Sequence, residues 1–310
     1  MKTPASAAPD EDSVEVRGNI RFRNLHRCPC CGNEELESTL DDGPDFETGL
    51  GTYSVRECIA CGIQFTTPQP FAEDIHLLYD DRSSHDFDQS ASFVDRLRRF
   101  NNLRQLKRLP KRFLTGEITS LDYGCGSGFF TRSMREYLPG RVIGSDFHGS
   151  PPPLIGSSKG IDYIADSDLS SLAGEVDLIV CRNVLEHTAD PQAFIRRLRE
   201  MLRPGGAILF EVPNRRSLWT RLLGKYNFNY YLPRHLYHYD EASLARHLDG
   251  FRVGGRWLDH SPILGKSFGS MLGMQVSGFA VAGLALLPLQ ILVDAPLRRS
   301  SQLVVIAERI

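Results

Sequence analysis

Two cysteine pairs have spacing that can do chemistry: Cys28-Pro-Cys-Cys31-Gly32 and Cys58-Ile-Ala-Cys61-Gly62. A C-x-x-C turn presents two thiolates from one tight knuckle, and zinc takes four soft ligands in a tetrahedron. Cys30 is an extra thiol inside the first unit; the glycine that follows both Cys31 and Cys61 matches Cys28 and Cys31 as the first pair. Four cysteines leave no position open to water, so the zinc expected here is structural. A second group is "SLDYGCGSGFF", in which Asp122 precedes Gly124, Gly126 and Gly128. Glycines let a backbone turn tightly and approach a ligand without Cβ clashes, and a following helix offers free N–H groups. The next apolar run, "VIGSD", ends in Asp146, where a carboxylate can accept hydrogen bonds from ribose hydroxyls. A third group is histidine: His187 in "NVLEH", and His235 and His238 in "LPRHLYHYD". All three are candidate proton acceptors, with His187 the first choice. The alternatives are that Glu186 and His187 cap or orient their loop and that His235 and His238 have a structural or substrate-positioning role. Arg234 can pair with an acidic or phosphorylated acceptor.

These groups need elements to hold them. The chain has 310 residues, 24% charged and 41% hydrophobic, with a net charge of −2. That is a globular composition, and no global field recruits nucleic acid or anionic lipid. From Glu117 onward apolar strands alternate with helical segments, the pattern of an α/β domain with a parallel sheet covered by helices. Strands are expected at "ITSLDYG", "GRVIGSD", "IDYIAD", "VDLIVCRN", "GGAILFEVPN", "FRVGGRWLD" and "SQLVVIAER", with helices at "GFFTRSMREYL" and "DPQAFIRRLREML". Ahead of this domain lie a tail over 1–18, a cysteine-bearing ribbon over 19–70 and a helical linker over 71–116. "MKTPASAAPDEDS" has no apolar core, so it reads as a disordered tail and not a signal peptide. A cytoplasmic, reducing setting then favours metal binding over disulfides.

The glycine loop with its two acids resembles that of the class I S-adenosylmethionine-dependent methyltransferases. The resemblance runs from about Glu117 to the C-terminus and continues through "VDLIVCRNVLEHTADP" and "LRPGGAILFEVPN". The stretch from "VPNRRSLW" to "HLDGFRV" is similar to a bacterial subgroup related to ubiquinone-biosynthesis methyltransferases. Members of that subgroup often carry an N-terminal zinc-ribbon piece ending in a phrase like "CGIQFTTPQP" here. The resemblance implies a Rossmann-like seven-stranded sheet with helices on both faces. It implies that Asp122, Gly124, Gly126 and Gly128 hold the methionine moiety of S-adenosylmethionine and that Asp146 takes the ribose. Asp166 would meet the adenine amine, with Asp168 as the alternative. Cys181, Arg182 and Asn183 would line the cofactor. Many relatives of this kind are associated with cell-surface glycan or lipid biosynthesis.

Two segments bear on the acceptor. In "DRLRRFNNLRQLKRLPKR", Phe93 just before it and Leu97, Phe100, Leu103 and Leu106 within it fall at helical spacing among many arginines and lysines. This reads as a packed helix with a solvated basic face, or as a helix that meets anionic headgroups. "FGSMLGMQVSGFAVAGLALLPLQILV", Phe268 to Val293, carries no charged residue and no histidine. It is long enough to cross a bilayer, which takes about 20 apolar residues. One crossing would put the last strand on the far side from its sheet, so a broken helical pair inserted at about 262–297 is expected instead. That pair would touch a membrane face, roof an apolar acceptor, or pack on the domain or a second subunit; Lys266, Arg298 and Arg299 flank it. The expected function is transfer of a methyl group, weakly favouring oxygen, to a glycan, lipid-linked sugar or lipid precursor at the inner membrane face. An RNA methyltransferase and a non-catalytic cofactor-binding scaffold are the alternatives; no aromatic-rich strand motif supports RNA.

Overall fold

The computed structural model describes residues 13–79, 92–273 and 280–310. The expected tail lies outside the described residues up to residue 12. Beyond it, Val14–Arg17 is a strand, β1, and not tail: it pairs antiparallel with β2 (Ile20–Arg23). β3 (Leu36–Pro44), β4 (Thr52–Cys58) and β5 (Gln64–Thr67) form an antiparallel ribbon, and β6 (Gln69–Pro70) returns to β2. Helix α1 spans Ser92–Leu106.

The domain that follows alternates as its sequence predicts. In order come β7 (Thr119–Tyr123), α2 (Phe129–Tyr137), β8 (Arg141–Ser145), α3 (Pro153–Gly156), β9 (Ile161–Tyr163), β10 (Val176–Arg182), α4 (Pro191–Met201) and β11 (Leu202–Pro213). Then come α5 (Leu218–Leu223), β12 (Tyr237–His238), α6 (Glu241–His247), β13 (Phe251–Asp259), α7 (Ile263–Met271), α8 (Ala280–Asp294) and β14 (Gln302–Arg309). Seven strands make one sheet in the order β13-β14-β11-β10-β7-β8-β9. β9, β8, β7, β10 and β11 run parallel, and β14 enters antiparallel between β11 and β13. This is the expected α/β architecture, with the final strand beside the fifth.

Strand alternation sends successive side chains to opposite faces. Along β10, Leu178 and Val180 face α1 and α2 through Leu106, Phe130 and Met134, while Ile179 and Cys181 face α4 through Ile195 and Leu198. Phe130, Met134 and Leu138 recur every four residues, so α2 buries one stripe. α4 starts where Asp190 accepts a hydrogen bond from Ala193 N at 2.8 Å, with Pro191 in the first turn.

Two features differ from the sequence pattern, and a third follows it. The apolar stripe expected on α1 is only half used: Leu97 and Phe100 are exposed, and the face packed on the domain carries Asn102, Gln105 and Leu106. Gln105 reaches Asp259 at 2.9 Å and Asn102 reaches Ser133 at 3.0 Å, so polar pairing replaces the apolar seam. Phe93's surroundings lie outside the described residues. Secondly, the ribbon, read as a module ahead of a helical linker, packs directly on the following domain. β12, from beyond β11, pairs with β5, and Cys28, Cys58, Ile63 and Phe65 share one buried core with β10, β11 and α4. Thirdly, the apolar segment forms a pair, α7 and α8, with residues 274–279 outside the described set. β13 and β14 meet at Asp259 and Gln302, so both ends of the insertion return to one edge of the sheet. Gly283 lets the helices approach: a Cβ there would stand 2.7 Å from the Pro262 carbonyl oxygen. Gln290 and Asp294 are buried; Gln290 donates to Ser261 O at 2.9 Å and Asp294 accepts from Trp219 Nε1 at 3.1 Å. Among the described residues no helix is long and apolar enough to cross a membrane.

Candidate active site

The glycine loop links β7 to α2 at the carboxyl edge of the sheet, where open α/β sheets bind ligands. Gly124 has φ +72°, and a Cβ on it would stand 2.4 Å from Val184 Cγ2. That contact joins the loop to the segment after β10. Gly126 N donates to Asp146 Oδ2 at 2.8 Å, and Phe147 N donates to Asp146 Oδ1 at 2.9 Å. The carboxylate is therefore braced at the end of β8 with lone pairs left over. Gly128 caps α2 with no side-chain partner, which leaves the first N–H groups of the helix for a ligand. Asp122 lies beneath the loop and accepts from the Thr131 hydroxyl at 2.6 Å. Burial pushes its carboxyl up to about 6.

The other cofactor positions divide. Asn183 sits on the exposed rim after β10 at φ +50°, a left-handed conformation that asparagine tolerates better than most residues. Asp166 follows β9, and its N–H reaches Asp146 O at 3.1 Å. Its carboxylate, expected to meet adenine, is held by the Tyr123 hydroxyl and by Arg197 at 3.0 Å. Arg182 does not line the cofactor cleft with a free guanidinium: it pairs with Glu211 at 2.7 Å and lies over Phe130. Cys181 is fully buried. Phe147, the residue after Asp146, is exposed and packs its ring on His148, with centroids 3.9 Å apart, an aromatic pair that the sequence reading missed.

The three histidines do not act as a set. His187 and His235 meet edge to face, with ring centroids 4.7 Å apart. His187 Nε2 is 4.0 Å and His235 Nε2 is 3.9 Å from Glu186 Oε1. Their other ring nitrogens lie against carbonyl oxygens: His187 Nδ1 is 2.9 Å from Arg234 O and His235 Nδ1 is 2.8 Å from Asn229 O. A carbonyl only accepts, so both protons sit on Nδ1 and both Nε2 lone pairs face the carboxylate. The Tyr79 hydroxyl also meets His187 Nδ1, at 2.7 Å. Glu186 is buried, and neither of its oxygens has a hydrogen-bond partner among the described residues. Burial pushes its carboxyl up to about 8 and pulls His187 down to about 4. Three electron-rich atoms converging in this way can hold a divalent cation, with the Arg234 and Asn229 carbonyls orienting the ligating rings. Such an ion would supply Lewis acidity for an acceptor oxygen.

His238 is corrected as a catalytic candidate, and its structural alternative holds. Its Nε2 bonds to the Thr66 hydroxyl at 3.0 Å and its ring meets Tyr230, inside the seam between β12 and β5. Burial pulls it down to about 3, so it is a neutral structural histidine. Arg234 is a second correction: it is buried, lies 3.4 Å from Asp45 and donates to Leu78 O at 2.9 Å, so it is closed to an acceptor.

The four ribbon sulfurs converge. Cys28 Sγ is 3.6 Å from Cys61 Sγ and Cys31 Sγ is 3.5 Å from Cys58 Sγ. A tetrahedral zinc with Zn–S near 2.3 Å requires sulfurs about 3.8 Å apart, so the donor set fits that ion. Gly32 and Gly62 close the two knuckles, each donating to the carbonyl of the first cysteine at 2.8 Å. Cys30 lies outside the quartet; its carbonyl accepts from Gln192 on α4 at 3.3 Å.

A glycine loop with strand-end acids at the switch point of an open α/β sheet defines a nucleotide-cofactor-binding domain. Comparison narrows the class. A profile of the methyltransferase domain matches residues 94–251, just over half of the chain, and the chain belongs to that family. The ubiquinone biosynthesis O-methyltransferase of Erwinia tasmaniensis is 32% identical over 106 residues, 31% of this chain and 43% of that protein. The Escherichia coli O127:H6 protein of the same name is 33% identical over 104 residues, again 31% of this chain and 42% of that protein. The match thus spans less than half the length of these curated relatives. Among solved structures, the Burkholderia thailandensis 1,6-didemethyltoxoflavin-N1-methyltransferase aligns with a TM-score of 0.49 at 17% identity, over 83% of this chain and 95% of that one. An S-adenosylmethionine-dependent methyltransferase from Mesorhizobium loti aligns with a TM-score of 0.44 at 20% identity, over 67% and 95%.

Proposed function

We propose that the chain transfers the methyl group of S-adenosylmethionine to an oxygen of a glycan, lipid-linked sugar or lipid precursor at a membrane face. The observation that carries the methyl transfer is the contact between Gly124 and Val184, which sets the cofactor loop beside the Glu186–His187 turn. The reaction is an in-line displacement: the acceptor oxygen bonds to the methyl carbon, the carbon–sulfur bond breaks, and sulfur keeps the electron pair as S-adenosylhomocysteine. The protein's task is mainly alignment. The hydroxyl proton must leave, and His187, held neutral by burial on the turn that follows Val184, is the acceptor when the Glu186–His187–His235 cluster holds no metal. The curated relatives that match are O-methyltransferases by name, which favours oxygen.

The apolar acceptor reading is supported by α7 and α8, which leave Phe268, Met271, Leu289, Ile291 and Leu292 exposed beside the last two strands. Exposed apolar patches of this kind mark membrane or ligand contact. The test supplies methyl-labelled S-adenosylmethionine with lipid-extracted, water-soluble glycan and RNA fractions. Label is expected in the lipid-extracted or glycan fraction and is lost in Asp146→Asn. Label in RNA alone sinks the acceptor reading, and binding without turnover on every fraction sinks the enzyme reading. Vesicle flotation of Leu289→Asp/Leu292→Asp against the parent checks the membrane contact, which fails if the parent never floats.

A further inference from the structure

Arg234, the arginine nearest the histidines in sequence, is closed to ligands, yet five other arginines line a cavity of about 650 Å³ close by. Arg215, Arg216 and Arg221 come from the segment after β11, and Arg298 and Arg299 from the turn before β14. Among the described residues no acidic side chain lines this cavity. We infer that it binds the phosphate or diphosphate group of an amphipathic ligand. This rests on the proposed methyl transfer to a lipid-linked or lipid acceptor and names the group by which that acceptor is held.

The site is built and not merely charged. Asp240 pairs with Arg215 at 2.8 Å and with Arg216 at 2.7 Å, and Glu57 pairs with Arg215 at 3.0 Å. Those two carboxylates offset two of the five guanidinium charges and fix Arg215, whose side chain is 9% exposed. Arg221, Arg298 and Arg299 have no carboxylate partner among the described residues. Arg215 Nε and Thr220 Oγ1 are buried and lack a hydrogen-bond partner among the described residues. Buried orphan donors are rare, and both residues belong to the wall of this cavity. Planar guanidinium donors match phosphate oxygens in pairs.

The ligand's apolar part follows from the same segments. Leu222, next to Arg221, is 62% exposed, and Leu297, next to Arg298, is 56% exposed. The exposed leucines of α8 lead directly into that turn. Guanidinium and apolar surface thus alternate on neighbouring residues, as an anionic head with a hydrocarbon chain requires. Tyr230 forms part of the cavity wall and turns its ring edge to His238 at 5.2 Å, while its neighbour Asn229 orients His235. The anion site is therefore in the same corner of the molecule as the Glu186–His187–His235 cluster.

The test is calorimetry on the full chain with inorganic pyrophosphate, farnesyl diphosphate and farnesol, and on Arg221→Ala and Arg298→Ala/Arg299→Ala. These variants leave the Arg215–Asp240 and Arg216–Asp240 pairs in place. Farnesyl diphosphate is expected to bind at least about tenfold more tightly than farnesol, and each variant to lose about tenfold or more. Flotation with phosphatidylglycerol vesicles separates the sources. If the variants lose flotation along with farnesyl diphosphate, the phosphate belongs to bilayer headgroups; if they float as the parent does but lose farnesyl diphosphate, it belongs to the acceptor. Both results support the site. Equal binding of diphosphate and alcohol, or variants that bind and float like the parent, overturns it. S-adenosylmethionine affinity is measured on the same samples. A parent chain that binds farnesyl diphosphate but not S-adenosylmethionine upholds the anion site and sinks the methyl transfer reading.

Discussion

Asp146 is the residue on which the cofactor assignment can be broken. Its two oxygens each accept one backbone N–H, from Gly126 and Phe147, and its spare lone pairs are what a ribose diol would meet. Hydrogen bonds to a charged group contribute about 1.5–3 kcal/mol each, so two ribose hydroxyls are worth about 3–6 kcal/mol. Asp146→Ala removes both, which converts to roughly 10²–10⁴-fold weaker binding of S-adenosylmethionine. Asp146→Asn keeps one acceptor oxygen, so a loss of roughly 10–100-fold is expected. The asparagine carries a second cost. Its amide group must point at one of the two backbone N–H groups, donor against donor, and destabilise the fold by about 1–3 kcal/mol. Calorimetry with S-adenosylmethionine and S-adenosylhomocysteine, with urea unfolding of the same samples, separates the two effects. If Asp146→Ala remains folded and binds within about threefold of the parent, the ribose assignment is wrong.

Three further outcomes are expected. Cys58→Ser should lose the one equivalent of zinc expected in the purified chain, and because Cys28 and Cys58 share the main core, unfolding of the whole domain should shift to lower temperature. Metal analysis showing no zinc, with a melting point unmoved by chelator, removes the ribbon site. Glu186→Gln should weaken Co²⁺ binding by about tenfold or more, read from the visible absorption of the ion, whereas His238→Gln should leave it unchanged. Equal Co²⁺ binding in Glu186→Gln and parent rules out the cluster as a metal site. His238 also sets a pH dependence. The unfolded chain takes up its proton near 6.5, and the folded chain refuses it until about 3. Stability contributed by the neutral ring is thus present above 6.5 and falls as pH drops across that interval, by up to about 5 kcal/mol. His238→Gln should flatten that part of the urea-unfolding profile, and an unchanged profile contradicts the buried neutral histidine.

The sequence by itself determined the parts of this protein that depend on neighbours in the chain. The β7 loop needs glycine where φ is positive and the backbone is crowded, so Gly124 and Gly128 were legible as a motif. Apolar runs alternating with helical segments gave the strands and the helices between them, and paired C-x-x-C knuckles gave the quartet. The return of the apolar insertion to one side also followed, because β14 needs its ladder partners β11 and β13.

Tertiary structure decided what side chains from distant elements meet. "RHLYH" offers an arginine and two histidines of equal standing on paper. The fold pairs Arg234 with Asp45, seats His238 on Thr66, and aims only His235 at Glu186 and His187. The α1 stripe was only half used for the same reason: Leu103 and Leu106 pack on the domain, but the other partners of that face, Ser133, Glu211 and Asp259, are polar and lie far along the chain. Likewise no local pattern shows that Arg221 and Arg299 share one cavity, or that β12 ties the ribbon to the catalytic domain. Spacing encodes backbone conformation through local sterics and periodicity, whereas convergence depends on strand order and loop paths, which only packing of the whole chain fixes.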